Sequence, residues 1–201
     1  MNRRTFLATA LAGGGAATAG CAGALGGTTT LSRPTEEVDD DGMEQYLRFE
    51  HAGERLAVVG LQQMAPQSSP TDSFRLRIHV EHRSGLADRG RRTTIDRFRF
   101  DLRAPPTSVQ PPAEVYLQSP SGGLCPDFTF EQVENLWTRI AADGTSEVGR
   151  GTLTLSTIVD PLGLPADEIG VGMEIELSEP GVTGRAYVAT AQTRFEPVVT
   201  Q

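Results

Sequence analysis

Strict alternation of apolar and polar residues is the strongest pattern in the chain. Phe74-Arg75-Leu76-Arg77-Ile78-His79-Val80 and Arg97-Phe98-Arg99-Phe100-Asp101-Leu102-Arg103 each place every second side chain on one apolar face. That period of two belongs to a strand buried on one side and wetted on the other. Tyr46 to Met64 is rich in strand-forming residues and is broken by Ala52-Gly53-Glu54, which predicts a hairpin. Ala113–Gln118, Gly151–Val159, Val171–Leu177 and Arg185–Phe195 complete the set. Turns such as Ala104-Pro105-Pro106, Ser119-Pro120-Ser121-Gly122-Gly123 and Glu179-Pro180-Gly181 separate them. About eight or nine short strands of this kind predict an all-β domain, a single antiparallel β-sandwich over residues 45–197. Immunoglobulin-like topology is the default arrangement, although the Cys…Trp…Cys hallmark of true Ig domains is absent.

One segment departs from the period of two. Phe130, Val133, Leu136, Trp137 and Ile140 recur at helical spacing, with Thr129 and Gln132 able to cap the start and Gly144 the end. The spacing favours a short helix near 130–142 across one end of the sandwich. Two strands around Glu134-Asn135 are the other reading.

Ahead of the domain the pattern is lost. Residues 21–44 hold Gly26-Gly27, Thr28-Thr29-Thr30, Pro34 and the acidic run Glu36-Glu37 then Asp39-Asp40-Asp41-Gly42. So little apolar surface predicts a flexible acidic tether. Residues 1–20 read differently again. Arg3-Arg4 precede Phe6-Leu7, a weakly apolar Ala/Gly/Thr stretch follows, and Thr18-Ala19-Gly20 leads into Cys21.

That order resembles a twin-arginine export signal ending in a lipobox, with Thr18 where lipoboxes usually carry leucine. The resemblance implies that Arg3, Arg4, Phe6 and Leu7 direct export and that Cys21 carries lipid. The mature chain would then sit on the outer face of the cytoplasmic membrane, held by lipid. Ala8 to Gly20 is shorter and less apolar than the roughly 20 residues a spanning helix needs.

Composition narrows the partners. All 18 basic residues are arginine, against 26 acids, and loss of Arg3 and Arg4 with the signal leaves 16 arginines. Acid excess keeps a protein soluble where salt competes for water, and a lysine-free acidic lipoprotein looks haloarchaeal. Such a charge balance argues against nucleic acid. With Cys21 lipidated, the only other cysteine, Cys125, has no partner within the chain, and an inert buried thiol is expected.

Candidate chemistry is sparse. His79-Val80-Glu81-His82 places its two histidines three apart, on opposite faces of a strand, so no metal site is expected there. No nucleophile elbow, phosphate loop or zinc-protease motif occurs. No cofactor is implied. The uneven feature is arginine: Arg75, Arg77, Arg97, Arg99 and Arg103 fall on the polar faces of two successive strands, and Arg83, Arg89, Arg91 and Arg92 lie between them. Side-by-side pairing of those strands would gather the first five on one sheet face. That face is either a contact surface for an anion, an acidic glycan or a protein partner, or a solvated surface neutralised by Glu81, Asp101 and acids of other strands. The expected function is a cell-surface lipoprotein presenting a non-catalytic β-sandwich accessory or binding module. An exported hydrolase or transport accessory subunit with a loop-built site is the alternative.

Overall fold

The two long alternating segments form central strands of two sheets that face each other. The computed structural model describes residues 27–82, 93–104, 113–118, 128–134, 137–143, 152–181 and 184–200. In chain order the strands are β1 (Thr28–Leu31), β2 (Thr35–Val38), β3 (Glu44–His51), β4 (Glu54–Gln63), β5 (Phe74–His82) and β6 (Thr94–Arg103). Then come β7 (Glu114–Gln118), β8 (Phe128–Val133), β9 (Trp137–Asp143), β10 (Thr152–Asp160), β11 (Ile169–Ser178) and β12 (Ala186–Phe195). The first sheet runs β1-β12-β11-β6-β9-β8 and the second β2-β3-β4-β5-β10-β7. Neighbours pair antiparallel except β1, which runs parallel to β12. The chain is an all-β sandwich.

Its core is the meeting of the two apolar faces. Phe98, Phe100, Leu102, Ile140 and Ile175 from the first sheet meet Leu47, Phe49, Leu61, Leu76 and Ile78 from the second, each at most 1% exposed. Thr157 and Gln63, two polar side chains that enter this layer, are bonded. Thr157 donates to the Leu76 carbonyl at 2.9 Å. Gln63 exchanges hydrogen bonds with the backbone of Val198, at 3.0 and 2.7 Å, which ties the C-terminal segment to β4. The β3–β4 hairpin turns through Ala52 and Gly53 at φ 51° and 77°, the two left-handed positions of a type I′ turn.

Two expectations are corrected. The described residues of 128–143 form no α-helix: β8 and β9 pair in register from Phe128↔Ala142 to Val133↔Trp137. Pairing of β9 with β6 sets Ile140 beside Phe100 and Ala142 beside Phe98, so the core takes alternate residues of this segment and the helical spacing has no role. Phe130, counted on the expected helix face, is 43% exposed. Residues 28–44 are likewise no coil, since they supply β1, β2 and a turn. Leu31 is 8% exposed and anchors β1 in the core. In the turn, Asp39 Oδ1 accepts from the Glu44 amide at 2.8 Å and Asp41 Oδ1 from the Met43 amide at 2.9 Å. An edge strand needs only one apolar anchor and gains from charges on its rim, so composition alone reads it as a tether. The export and lipidation residues Arg3, Arg4, Phe6, Leu7 and Cys21 lie outside the described residues, as do Arg83, Arg89, Arg91, Arg92 and Cys125.

Candidate functional site

The five arginines do not share a face. β5 and β6 are consecutive in sequence but belong to opposite sheets, so Arg75 and Arg77 point out of the second sheet while Arg97 and Arg99 point out of the first. Arg77 donates to Gln62 Oε1 at 3.2 Å. Arg103, at the far end of β6, is 8% exposed, and its Nε has no hydrogen-bond partner among the described residues. A single arginine contact surface is therefore excluded by geometry.

On the outer face of the first sheet the arginines alternate with acids. Arg97 pairs with Glu176, and its guanidinium also lies 3.7 Å from Glu174 and 3.8 Å from Asp143. Arg99 reaches Glu174 at 3.5 Å and Asp101 at 3.6 Å. Cross-strand register makes these contacts, with Arg97 opposite Glu176 and Arg99 opposite Glu174. Changing Arg97 and Arg99 together to Glu should destabilise the fold by about 1–2 kcal/mol, because like charges then stand opposite one another. Adding Glu174→Arg and Glu176→Arg should restore most of it in a thermal melt. A midpoint unmoved by the double reversal would show that the ladder carries no stability.

One row of this face is interrupted. Register aligns Gln192, Gly172, Asp101, Arg139 and Glu131 across five strands. Arg139 grips Asp101 with two bonds, Nε to Oδ1 at 2.7 Å and Nη2 to Oδ2 at 3.0 Å. That bond raises the Arg139 pKa above its ordinary value, against the opposing effect of burial. Gly172 contributes no side chain between Gln192 and Asp101, and the gap is the floor of a hollow of about 600 Å³. Val133, Glu134 and Trp137 form its wall at the β8–β9 end. By strand alternation Trp137 faces outward with Arg139, and it is half-buried. Trp137 is the only tryptophan in the chain.

The outer face of the second sheet carries a tighter cluster around His79. The His79 ring lies over Gly60 and makes an edge contact with Tyr46 at 6.2 Å between centroids. Its Nε2 stands 3.7 Å from Glu44 Oε1. The hydrogen bond from Tyr46 to Glu44 pushes the phenol pKa up to about 12, aided by burial and by the nearby acids. At the sheet edge the bond from Tyr116 to Glu114 likewise raises the Tyr116 phenol. His82 points the other way, into the sandwich, with Nδ1 2.7 Å from the Thr93 carbonyl. A second hollow, about 520 Å³, lies beside Met64, Gln67, Phe74, Arg75 and Ile158.

Sequence reasoning placed Trp137 on a helix and passed over Asp101, Arg139, Gly172 and Gln192 as site residues. A signal for one of them was present: Gly170 and Gly172 occupy alternate polar-face positions of a strand otherwise rich in Val, Ile, Met and Leu. Glycine inside a strand marks a place where something approaches the backbone.

A family model described as a domain of unknown function, DUF8121, matches residues 28–199. No curated protein matches. Among solved structures the chain is similar to a cohesin module from the family 33 glycoside hydrolase of Clostridium perfringens, at 10% identity and a TM-score of 0.39, covering 72% of this chain and 97% of that one. It is similar to AvmM, which catalyses macrocyclization in alchivemycin A biosynthesis, at 11% identity and a TM-score of 0.37, covering 77% and 96%. The sixth cohesin of scaffoldin B from Acetivibrio cellulolyticus, solved with a Cel5 dockerin, matches at 11% identity and a TM-score of 0.35, covering 71% and 99%.

Proposed function

The chain belongs to the DUF8121 family, and from that premise we propose that it is a lipid-anchored surface module whose sandwich is non-catalytic and binds a ligand in the hollow over Gly172. The hollow carries the reading: an open, mixed surface in which one aromatic side chain and a fixed ion pair converge on a bare stretch of strand. Its size is that of a small-ligand site, and few polar groups in fixed positions are what such sites use for orientation.

The position of the hollow suits an anchored module. β1 begins at Thr28 opposite Ala186, and Cys21 stands seven residues earlier, a reach of at most ~25 Å. A lipid on Cys21 would hold that end of the first sheet near the membrane. Gly172 pairs with Gln192, six residues further along β12 than Ala186, about 20 Å further from the anchored end. On that arrangement the hollow would lie on the half of the first sheet farther from the anchored end.

Two measurements test the two halves of this reading. Cys21→Ser should shift the processed protein from the membrane fraction to the medium or leave the precursor uncleaved, and a fully processed, membrane-bound variant would overturn the anchor. Because Trp137 is the sole indole, its emission reports the hollow alone. Cell-envelope extract should shift that emission in the wild-type chain and not in Gly172→Gln, whose side chain fills the floor. Emission unmoved by any extract fraction would overturn the binding site.

A further inference from the structure

Resting on the hollow as a binding site, we infer that its ligand is a neutral pyranose unit of a polysaccharide, stacked on Trp137 and hydrogen-bonded by Asp101, Arg139 and Gln192. The argument begins with charge. Arg139 is held by Asp101 through two bonds, and Arg97 and Arg99 are matched by Glu174 and Glu176. Among the described residues no uncompensated guanidinium is left in the lining, while Glu134 adds a carboxylate to the wall. An acidic glycan or a phosphate would meet net negative charge there, and contact pairing is the one electrostatic mechanism that survives high salt.

The lining fits a polyol instead. A hydroxyl donates and accepts at once, so a pair of adjacent hydroxyls matches a surface on which donors and acceptors alternate within hydrogen-bond reach. The Asp101–Arg139 pair is such a surface: its remaining carboxylate lone pairs accept, and the guanidinium N–H groups not used on Asp101 donate. Both side chains keep access to solvent, at 19% and 30% exposure. The Gln192 amide adds one donor and one acceptor across the gap at Gly172. Trp137 supplies the complementary element. A pyranose ring shows a flat patch of C–H groups edged by hydroxyls, and an indole offers a broad apolar face with a polar tip. The bare floor lets the ring lie low: a β-carbon at Gly172 would touch the Asp101 β-carbon at 3.6 Å, so any longer side chain would rise into the hollow.

The test uses the full chain in detergent and reads Trp137 emission. The probes are envelope polysaccharide from the producing cells and, separately, yeast mannan, xylan and starch, so that the cell's own glycan and a foreign one are distinguished. Envelope material that shifts the emission should pass through an anion exchanger, survive protease and lose its effect after periodate, which cleaves vicinal diols. Trp137→Ala should weaken binding at least tenfold by calorimetry with the melt unchanged, and Gly172→Gln should do the same with the indole retained. Activity retained on the exchanger, removed by protease or resistant to periodate would overturn the neutral sugar while leaving the hollow as a binding site. An emission that responds to no probe would overturn both.

Discussion

Phe98→Ala is expected to lower the unfolding free energy by about 3–5 kcal/mol, the usual cost of emptying a fully buried aromatic site. β6 is the strand on which the first sheet is built, paired with β11 on one side and β9 on the other. Phe98 is 0% exposed and stands opposite Ile175 and Ala142 in those two strands. Its ring lies 5.7 Å from Phe100 and 5.9 Å from Phe128. Truncation removes the ring contact between Phe98 and Phe128 that reinforces the backbone pairing of β6 with the β8–β9 hairpin. With total stability of typical domains at about 5–15 kcal/mol, the denaturant midpoint should fall by a large fraction. Phe130→Ala, at a half-exposed position of the edge strand β8, should cost clearly less, about 1 kcal/mol. Equal effects of the two substitutions would mean that the core is not where β6 puts it.

The fold class was legible because alternation reports burial directly. Phe74, Leu76, Ile78 and Val80 had to share one face, as did Phe98, Phe100 and Leu102, and all are buried. What alternation cannot report is which sheet a strand joins. Two strands side by side and two strands facing each other across the core bury the same alternate residues. The sequence reading set β5 beside β6; the chain sets them opposite, and the arginine surface built on the first arrangement is divided between two outer faces. Register has the same character. That Arg99 meets Glu174 and Asp101 meets Arg139 follows from long-range pairing, which no local pattern carries.

The hollow was hidden for a related reason. Its lining comes from β6, β8, β9, β11 and β12 and the residue after β8, positions up to about ninety apart in the sequence, and each looks ordinary alone. Gly172 was the exception, one of two missing side chains, with Gly170, on the outward positions of its strand. Trp137 misled because aromatic and branched residues at helical spacing also suit a short hairpin. The outcome was decided by β6, which needed a neighbour with Ile140 and Ala142 on its apolar side.

Gly60→Ala is expected to change sign with its cross-strand neighbour. In the wild-type chain a β-carbon at position 60 would sit 2.0 Å from His79 Cε1 and 2.3 Å from Nε2, inside the ring. The imidazole would have to leave its bed on the sheet, giving up the Tyr46 edge contact and the approach to Glu44. Such overpacking costs about 1–3 kcal/mol. His79→Ala removes the obstacle. In that background the three atoms nearest the added methyl are gone, and relief of the backbone entropy that glycine loses on entering a strand should make Gly60→Ala neutral or stabilising by about 0.5–1 kcal/mol. The four proteins of this cycle, compared by urea denaturation, should give a coupling of at least about 1 kcal/mol between two residues that register places side by side. Additive effects would show that the ring does not rest on Gly60.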